Sequence, residues 1–153
     1  MRHFSGRNKK VSFPVGIVVS RFNEGITQEL LKGATERLLE LGFDKGQVTI
    51  AEVPGAVEIP FLLQKFAEMK EFEALIALGA VVRGETSHYD YVCQIVSHGC
   101  QRIALDFKIP VIFGVLTTDN EEQALARCGG VHGHKGREAV DTALEMVSLL
   151  RSL

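Results

Sequence analysis

One apolar run constrains the fold more than any other feature of the chain. Residues 74–82 read A-L-I-A-L-G-A-V-V, without the alternation of a half-exposed strand. An unbroken run of this kind is typical of a strand in a parallel sheet that helices cover on both faces. The sequence R-G-E-T-S-H follows directly, and a helical pattern begins at its end. Because ligands bind at the carboxyl ends of parallel strands, this junction is a candidate site.

The rest of the chain alternates between strand and helix patterns. Besides 74–82, the strand candidates are 15–20, 48–53 and 111–117. The spacing of apolar residues gives the helix candidates 24–41, 57–69, 87–107, 121–127 and 137–150. Strict alternation predicts the α/β class, with a parallel sheet between two layers of helices. The chain contains no internal repeat or linker, which indicates a single domain, 1–153, with an N-terminal arm at 1–13.

Local signals mark where several of these elements begin. Asn23 is a suitable N-cap for the first helix, and Thr118 with Glu121 three residues later forms a capping-box pattern. Pro60 is compatible with a helix only within the first turn, where its missing N–H costs little. The glycine-rich segment 128–136 predicts a loop.

The charge balance and the ligand-type residues exclude several classes of partner. Seventeen Lys and Arg against nineteen Asp and Glu give a net charge of -2, which offers no general attraction to nucleic acid or to anionic membranes. No apolar run is long enough to span a bilayer, and the N-terminus lacks the apolar core of a signal peptide. Three cysteines without metal-site spacing are typical of reduced thiols, so a cytoplasmic location is expected. His132 and His134 alone are too few ligands for zinc.

Polar and aromatic side chains follow the predicted strands. They comprise two aromatic rings, an amide, carboxylates, a hydroxyl and an imidazole, which together suit a pocket for a flat polar ring. The residues are Phe22, Asn23, Ala56, Val57, Glu58, Glu85, Thr86, His88 and Phe113. Taken singly, several have a structural alternative. Phe22 and Phe113 would be core residues, Glu58 would offset a helix dipole, and His88 would lie on the surface.

His88 and the residues before it suit acid–base and anion-binding chemistry. The positive end of a helix disfavours an imidazolium, so a neutral imidazole that accepts a proton is expected at pH 7. The free N–H groups at Gly84–Ser87 offer an anion site, without the lysine and the spacing of a P-loop. Arg127 and Lys135 are either phosphate-binding cations or ordinary surface charges.

Five sequence segments match, in order, those of one enzyme family. They are 16–23 (G-I-V-V-S-R-F-N), 53–60 (V-P-G-A-V-E-I-P), 78–92 (L-G-A-V-V-R-G-E-T-S-H-Y-D-Y-V), 109–118 (I-P-V-I-F-G-V-L-T-T) and the segment from Arg127 to Gly136. Together they resemble lumazine synthase, and the likeness extends over nearly the whole chain from Val15. The resemblance implies a three-layer α/β/α sandwich whose central sheet has four parallel strands in flavodoxin-like order.

The resemblance also implies a transferase that needs no metal or organic cofactor. Members of the family condense 5-amino-6-(D-ribitylamino)uracil with 3,4-dihydroxy-2-butanone 4-phosphate, releasing phosphate and water. The product, 6,7-dimethyl-8-ribityllumazine, is formed in the penultimate step of riboflavin biosynthesis. Two alternatives fit the same sequence: an archaeal-type riboflavin synthase and a non-catalytic flavin-binding shell protein.

By the same resemblance, each candidate residue receives a role. His88 is the acid–base residue, and Glu85, Thr86 and Arg127 hold the phosphate of the four-carbon substrate. The pyrimidine substrate is bound by Phe22, Asn23, Ala56, Val57, Glu58, Ala80, Val81, Val82, Phe113 and Lys135. Because a carboxylate repels an anion, the side chain of Glu85 is expected to point away from the phosphate.

The family further implies a homo-oligomer. Its members form pentamers, and the absence of extra residues between Arg127 and Lys135 favours an icosahedral shell of twelve pentamers. Association with riboflavin synthase is a further expectation. Phe113, Arg127 and Lys135 would then reach the site of a neighbouring subunit, and the arm would extend a neighbour's sheet. Val131 and His134 stand where many relatives carry lysine and asparagine, which leaves the phosphate contacts of this loop open.

Overall fold

The computed structural model describes all residues, 1–153. Four strands form one sheet: β1 Val15–Ser20, β2 Val48–Val53, β3 Ala74–Val82 and β4 Val111–Thr118. Their order is β2-β1-β3-β4, and all three neighbouring pairs run parallel. The predicted four-stranded parallel sheet and its flavodoxin-like order are therefore confirmed.

Five helices cover the two faces of this sheet. They are α1 Glu24–Glu40, α2 Ile59–Met69, α3 His88–Phe107, α4 Glu121–Leu125 and α5 Lys135–Leu150. Apolar residues of α1, α4 and α5 share one core cluster with the sheet, whereas those of α2 and α3 share another on the opposite face. The molecule thus has the three layers that strict alternation of strands and helices predicts. None of the helices combines the length and the apolar character needed to cross a membrane.

The apolar run 74–82 forms the strand on which the sheet depends. β3 pairs with β1 on one side and with β4 on the other, and it is buried along almost its whole length. β2 and β4 are the edge strands, with three and two exposed residues respectively. An unalternating sequence is required in β3 because both of its faces lie against helices.

Two local predictions at element boundaries are wrong, and a third is correct only in position. Asn23 occupies the N-cap position of α1 in a left-handed conformation, and its side chain makes no capping hydrogen bond. Thr118 is the last residue of β4, and the N-cap of α4 is Asn120, whose side chain accepts a hydrogen bond from the Gln123 N–H at 2.8 Å. The segment 128–136 is not a simple loop, because Cys128–Gly130 (β5) and Gly133–His134 (β6) form a small antiparallel hairpin.

The start of α2 is tighter than its periodicity predicts. A 3₁₀ turn, Ala56–Glu58, precedes the helix, which begins at Ile59. Pro60 lies in the first turn of α2, as predicted, where no intrahelical hydrogen bond is lost.

The N-terminal arm lies against its own chain and forms no strand before Val15. Gly6 is buried against the backbone of α5, where a side chain would overlap the carbonyl of Glu145. Phe13 packs edge-on against Phe43 with ring centroids 5.0 Å apart. Addition of the arm to a neighbour's sheet stays a prediction, since it concerns a second copy of the chain.

Two glycines allow α1 and α5 to pack closely beside the hairpin. A Cβ on Gly33 would overlap the imidazole of His134, and a Cβ on Gly136 would overlap the carbonyl of Leu30. His134 is the N-cap of α5, and its Nδ1 accepts a hydrogen bond from the Arg137 N–H at 3.4 Å. The hairpin is therefore held against α1 by a ring that fits only above a glycine.

We predict that Gly33→Ala lowers the free energy of unfolding by about 1–3 kcal/mol, because overpacking a tight contact forces side chains or backbone to shift. Gly25→Ala in the same helix is the control, since nothing lies within 4 Å of the added Cβ. It should leave stability unchanged or raise it by up to ~1 kcal/mol. Chemical denaturation of both variants measures this, and His134→Ala should relieve most of the Gly33→Ala cost. Equal stabilities of the two alanine variants would contradict the packing argument.

Candidate active site

A cleft of about 460 Å³ opens at the carboxyl ends of β1, β2 and β3. The turn after each strand contributes side chains, and the first turns of α3 close one side. The lining residues are Phe22, Asn23, Gly55, Ala56, Val57, Glu58, Ala80, Val81, Val82, Gly84, Thr86, His88, Tyr89 and Val92. The cleft is mostly apolar, with few polar groups, as small-molecule sites usually are.

Phe22 presents its ring to this cleft instead of to the core. Its relative exposure is 73%, so the core alternative is wrong for this residue. The backbone of the turn is fixed, because the Phe22 N–H donates to the Pro54 carbonyl at 2.9 Å and the Asn23 Nδ2 donates to the Ala80 carbonyl at 3.0 Å. The side chain of Asn23 thus ties the β1–α1 turn to the end of β3, which explains why it does not cap α1.

Glu58 combines a structural contact with a place in the cleft. Its Oε2 accepts a hydrogen bond from the Gly55 N–H at 2.9 Å and so closes the 3₁₀ turn. This oxygen therefore has a structural role at the start of α2, where a carboxylate also offsets the helix dipole, as the structural alternative expects. The chain provides no hydrogen bond to Oε1, which leaves it available to a hydroxyl or an amide of a ligand.

The start of α3 presents His88 as its first residue. The Thr86 Oγ1 accepts a hydrogen bond from the His88 N–H at 3.3 Å, whereas Ser87 at the N-cap position makes no side-chain hydrogen bond. N–H groups at the start of this 20-residue helix are thus open to an anion. Glu85 is exposed and does not line the cleft.

A second surface lies along the edge strand β4 and shares no residue with the cleft. It includes Phe113, Arg127 and Lys135. Phe113 is 44% exposed, so the core alternative is wrong here too. The Arg127 guanidinium donates to the Gln123 carbonyl at 2.8 Å, and the Lys135 Nζ forms an ion pair with Glu138 at 3.0 Å. One chain therefore does not bring these three residues to the cleft.

The model of the 6,7-dimethyl-8-ribityllumazine synthase family matches residues 12–151. The chain belongs to the lumazine synthase family. Proteins named 6,7-dimethyl-8-ribityllumazine synthase in the Coxiella burnetii strains CbuG_Q212, RSA 493 and Dugway 5J108-111 are 51% identical to it over 142 residues. These matches cover 93% of this chain and 94% of each relative. The resemblance inferred from five segments is thereby confirmed.

The cleft gathers most of the residues that the lumazine synthase resemblance names, but not all of them. Ten of the predicted residues line it: Phe22, Asn23, Ala56, Val57, Glu58, Ala80, Val81, Val82, Thr86 and His88. Glu85 lies in the same turn but outside the cleft, and Phe113, Arg127 and Lys135 lie on the β4 surface. No three His, Cys, Asp or Glu residues are placed to hold a metal ion together.

Two side chains of the cleft, Tyr89 and Val92, are not among the residues predicted from the sequence. Val92 lies four residues after His88 on α3, which places the two on the same side of the helix. Helical spacing counted from His88 would have identified it. Tyr89 is half-buried, and burial raises the pKa of its phenol, while a hydrogen bond with Thr117 opposes that rise.

Phe22→Ala should raise KM for the pyrimidine substrate about 2- to 10-fold, because a stacked aromatic ring contributes ~0.5–1.5 kcal/mol beyond area burial. Steady-state kinetics at saturating butanone phosphate measure this change. Phe22→Tyr is the matched control, since it keeps a ring of the same size and should stay within about twofold of the parent. Because Phe22 is largely exposed, neither variant should lose thermal stability. An unchanged KM in Phe22→Ala would show that Phe22 does not stack on the pyrimidine substrate.

Proposed function

We propose that the protein catalyses the condensation of 5-amino-6-(D-ribitylamino)uracil with 3,4-dihydroxy-2-butanone 4-phosphate to 6,7-dimethyl-8-ribityllumazine. One observation carries the proposal: an exposed phenylalanine ring, an exposed histidine and an open helix N-terminus meet at one cleft. These are groups that can hold a flat ring, move protons and bind a phosphate. Membership of the lumazine synthase family supports the same reaction.

The pyrimidine substrate would lie in the cleft with its ring on Phe22. The backbone of Ala80–Val82 offers N–H and C=O groups to the polar edge of the ring. The free oxygen of Glu58 is suited to accept hydrogen bonds from hydroxyls of the ribityl chain. In this arrangement the reactive amino group would approach the start of α3, where His88 lies.

The phosphate of the four-carbon substrate would bind at the start of α3. Free N–H groups and the positive end of the helix dipole favour an anion there. The Thr86 hydroxyl accepts from the His88 N–H, so its own proton is available to a phosphate oxygen. The Arg127 guanidinium would add a charged contact if a neighbouring copy brought it to this cleft.

His88 would act as the acid–base residue. The amine attacks the ketone and one water leaves as the imine forms; elimination then releases phosphate, and ring closure releases a second water. Each of these steps moves protons on and off nitrogen and oxygen. An imidazole can accept and return such protons near neutral pH. Holding both small molecules in one cleft further replaces a bimolecular encounter by an intramolecular reaction.

The active unit would be a homo-oligomer in which β4 of one copy faces the cleft of the next. The separation of the cleft from Phe113, Arg127 and Lys135 within one chain supports this arrangement. By analogy with the family, the proposal includes pentamers that close into an icosahedral shell. It also includes a cytoplasmic location. Light scattering distinguishes a pentamer from a shell, and a monomeric active enzyme would contradict the shared site.

The reaction is tested by incubating the purified protein with the two proposed substrates and, separately, with 6,7-dimethyl-8-ribityllumazine alone. Lumazine formed from the pair, with no riboflavin formed from lumazine alone, supports the proposal. The reverse result identifies an archaeal-type riboflavin synthase. Tight flavin binding without either product identifies a non-catalytic shell protein.

A further inference from the structure

Arg83 connects three elements immediately behind the cleft. It follows the last residue of β3, and its backbone N–H donates to the Thr118 carbonyl at 2.9 Å. Its Nε donates to the Asp119 carboxylate at 3.0 Å, between β4 and α4. Its Nη1 lies 3.6 Å from the carboxylate of Asp90 in the first turn of α3. Both carboxylates hold the pKa of the guanidinium above its ordinary value, with the Asp119 hydrogen bond as the largest cause.

The guanidinium also stacks on an aromatic ring that lines the cleft. Its central carbon lies 4.2 Å from the centroid of the Tyr89 ring. Tyr89 is itself half-buried and packs against the core cluster that α2 and α3 share with the sheet. A guanidinium suits this contact because it is planar and stacks on aromatic faces while it also binds carboxylates through its edge.

These contacts hold a helix start that has little local support. Ser87 provides no side-chain cap, and the bond from the His88 N–H to Thr86 is long at 3.3 Å. A helix terminus without a strong cap frays unless tertiary contacts fix it. Asp90 and Tyr89, the two residues that follow His88, are the ones that Arg83 contacts.

We propose that Arg83 is the positioning residue for His88: it clamps the first turn of α3 to the ends of β3 and β4 and so fixes the imidazole in the cleft. Arg83 does not line the cleft, and its charge is already matched by two carboxylates, so it is not a substrate contact. The inference rests on the proposed acid–base role of His88. It extends that role by naming the contact that keeps the acid–base group in place.

A double-mutant cycle tests this role. Arg83→Ala should lower kcat about 10- to 100-fold, since a displacement near 1 Å at a reacting group can cost that much. KM for the pyrimidine substrate should change less than about twofold, because Phe22 and the backbone of β3 remain in place. In the His88→Ala background, Arg83→Ala should lower the remaining kcat less than about twofold, because residues that act as a unit are non-additive. Arg83→Lys keeps the charge but not the planar stack, and should recover only part of kcat.

Arg102→Ala is the matched control. Arg102 lies on α3, the helix whose first turn Arg83 contacts, and it forms an ion pair with Asp106 at 3.2 Å near the other end of that helix, far from the cleft. It should leave kcat and KM unchanged, and thermal melts should show all variants folded. If Arg83→Ala lowers kcat by the same factor with and without His88, or lowers it no more than Arg102→Ala does, the positioning role is wrong. If the parent protein forms no lumazine, the proposed function fails instead, so the two failures are distinguishable.

Discussion

His88→Ala is expected to lower kcat for lumazine formation by about 10²–10⁴-fold, the range that a positioned acid–base group typically contributes. His88 is the first residue of α3 and lines the cleft beside Thr86 and Phe22. A slow reaction should remain, because the cleft still holds both substrates together and proximity alone accelerates the condensation. KM values should change little, since the proposed binding contacts are made by other residues.

His98→Ala is the appropriate control for this experiment. His98 is an exposed histidine on the same helix and does not line the cleft. Replacement of His98 should leave kcat unchanged. Any decrease in kcat would measure the general effect of removing an imidazole from α3. If the His88→Ala protein has the same kcat as the parent protein, His88 is not the acid–base residue. A KM increase without a kcat decrease would make His88 a binding residue instead.

Two impaired variants, His88→Ala and Arg127→Ala, are expected to be more active when they assemble together than either is alone at low butanone phosphate. Arg127→Ala should raise KM for butanone phosphate about 10- to 100-fold, because a hydrogen bond to a charged group contributes ~1.5–3 kcal/mol. Co-expressed with His88→Ala, it should give mixed oligomers in which roughly a quarter of the sites combine an intact cleft with an intact β4 surface. The reason is geometric: in one chain the cleft and the β4 surface share no residue.

The matched control mixes two variants that both change the cleft and leave the β4 surface intact. Co-assembly of His88→Ala with Phe22→Ala leaves every cleft with one defect, since both residues line the cleft of one chain. The mixture should show only the average of the two variants. Activity restored by this pair, or no restoration by His88→Ala with Arg127→Ala in proven mixed oligomers, would contradict a site shared between copies.

Much of the cleft could be predicted from the sequence because the order of the parallel strands determines which turns line it. Once the apolar run 74–82 is taken as a central strand, the turns after β1, β2 and β3 must meet at one edge of the sheet. The residues of those turns are then brought together by topology alone, without knowledge of side-chain packing. Seven of the predicted residues line the cleft for this reason, whereas Ala80, Val81 and Val82, which the family resemblance implies, lie at the end of β3 itself.

Other features depend on tertiary contacts that local patterns do not encode. Asn23 has the composition of an N-cap, but the Ala80 carbonyl of β3 takes its side chain instead. Thr118 has the composition of a cap as well, but the β3–β4 ladder extends through it and pairs it with Val82. The burial of a side chain also depends on tertiary structure. Phe22 and Phe113 are apolar but exposed, because Phe22 follows the end of β1 and Phe113 lies on the edge strand β4.

The most direct test of the proposed reaction is the stoichiometry of its products. With both substrates supplied, lumazine is followed by its absorbance and fluorescence, and inorganic phosphate is measured in the same reaction. The mechanism predicts one phosphate released for each lumazine formed, with neither product when the pyrimidine is omitted. Phosphate released without lumazine, or lumazine formed without phosphate, would contradict the account.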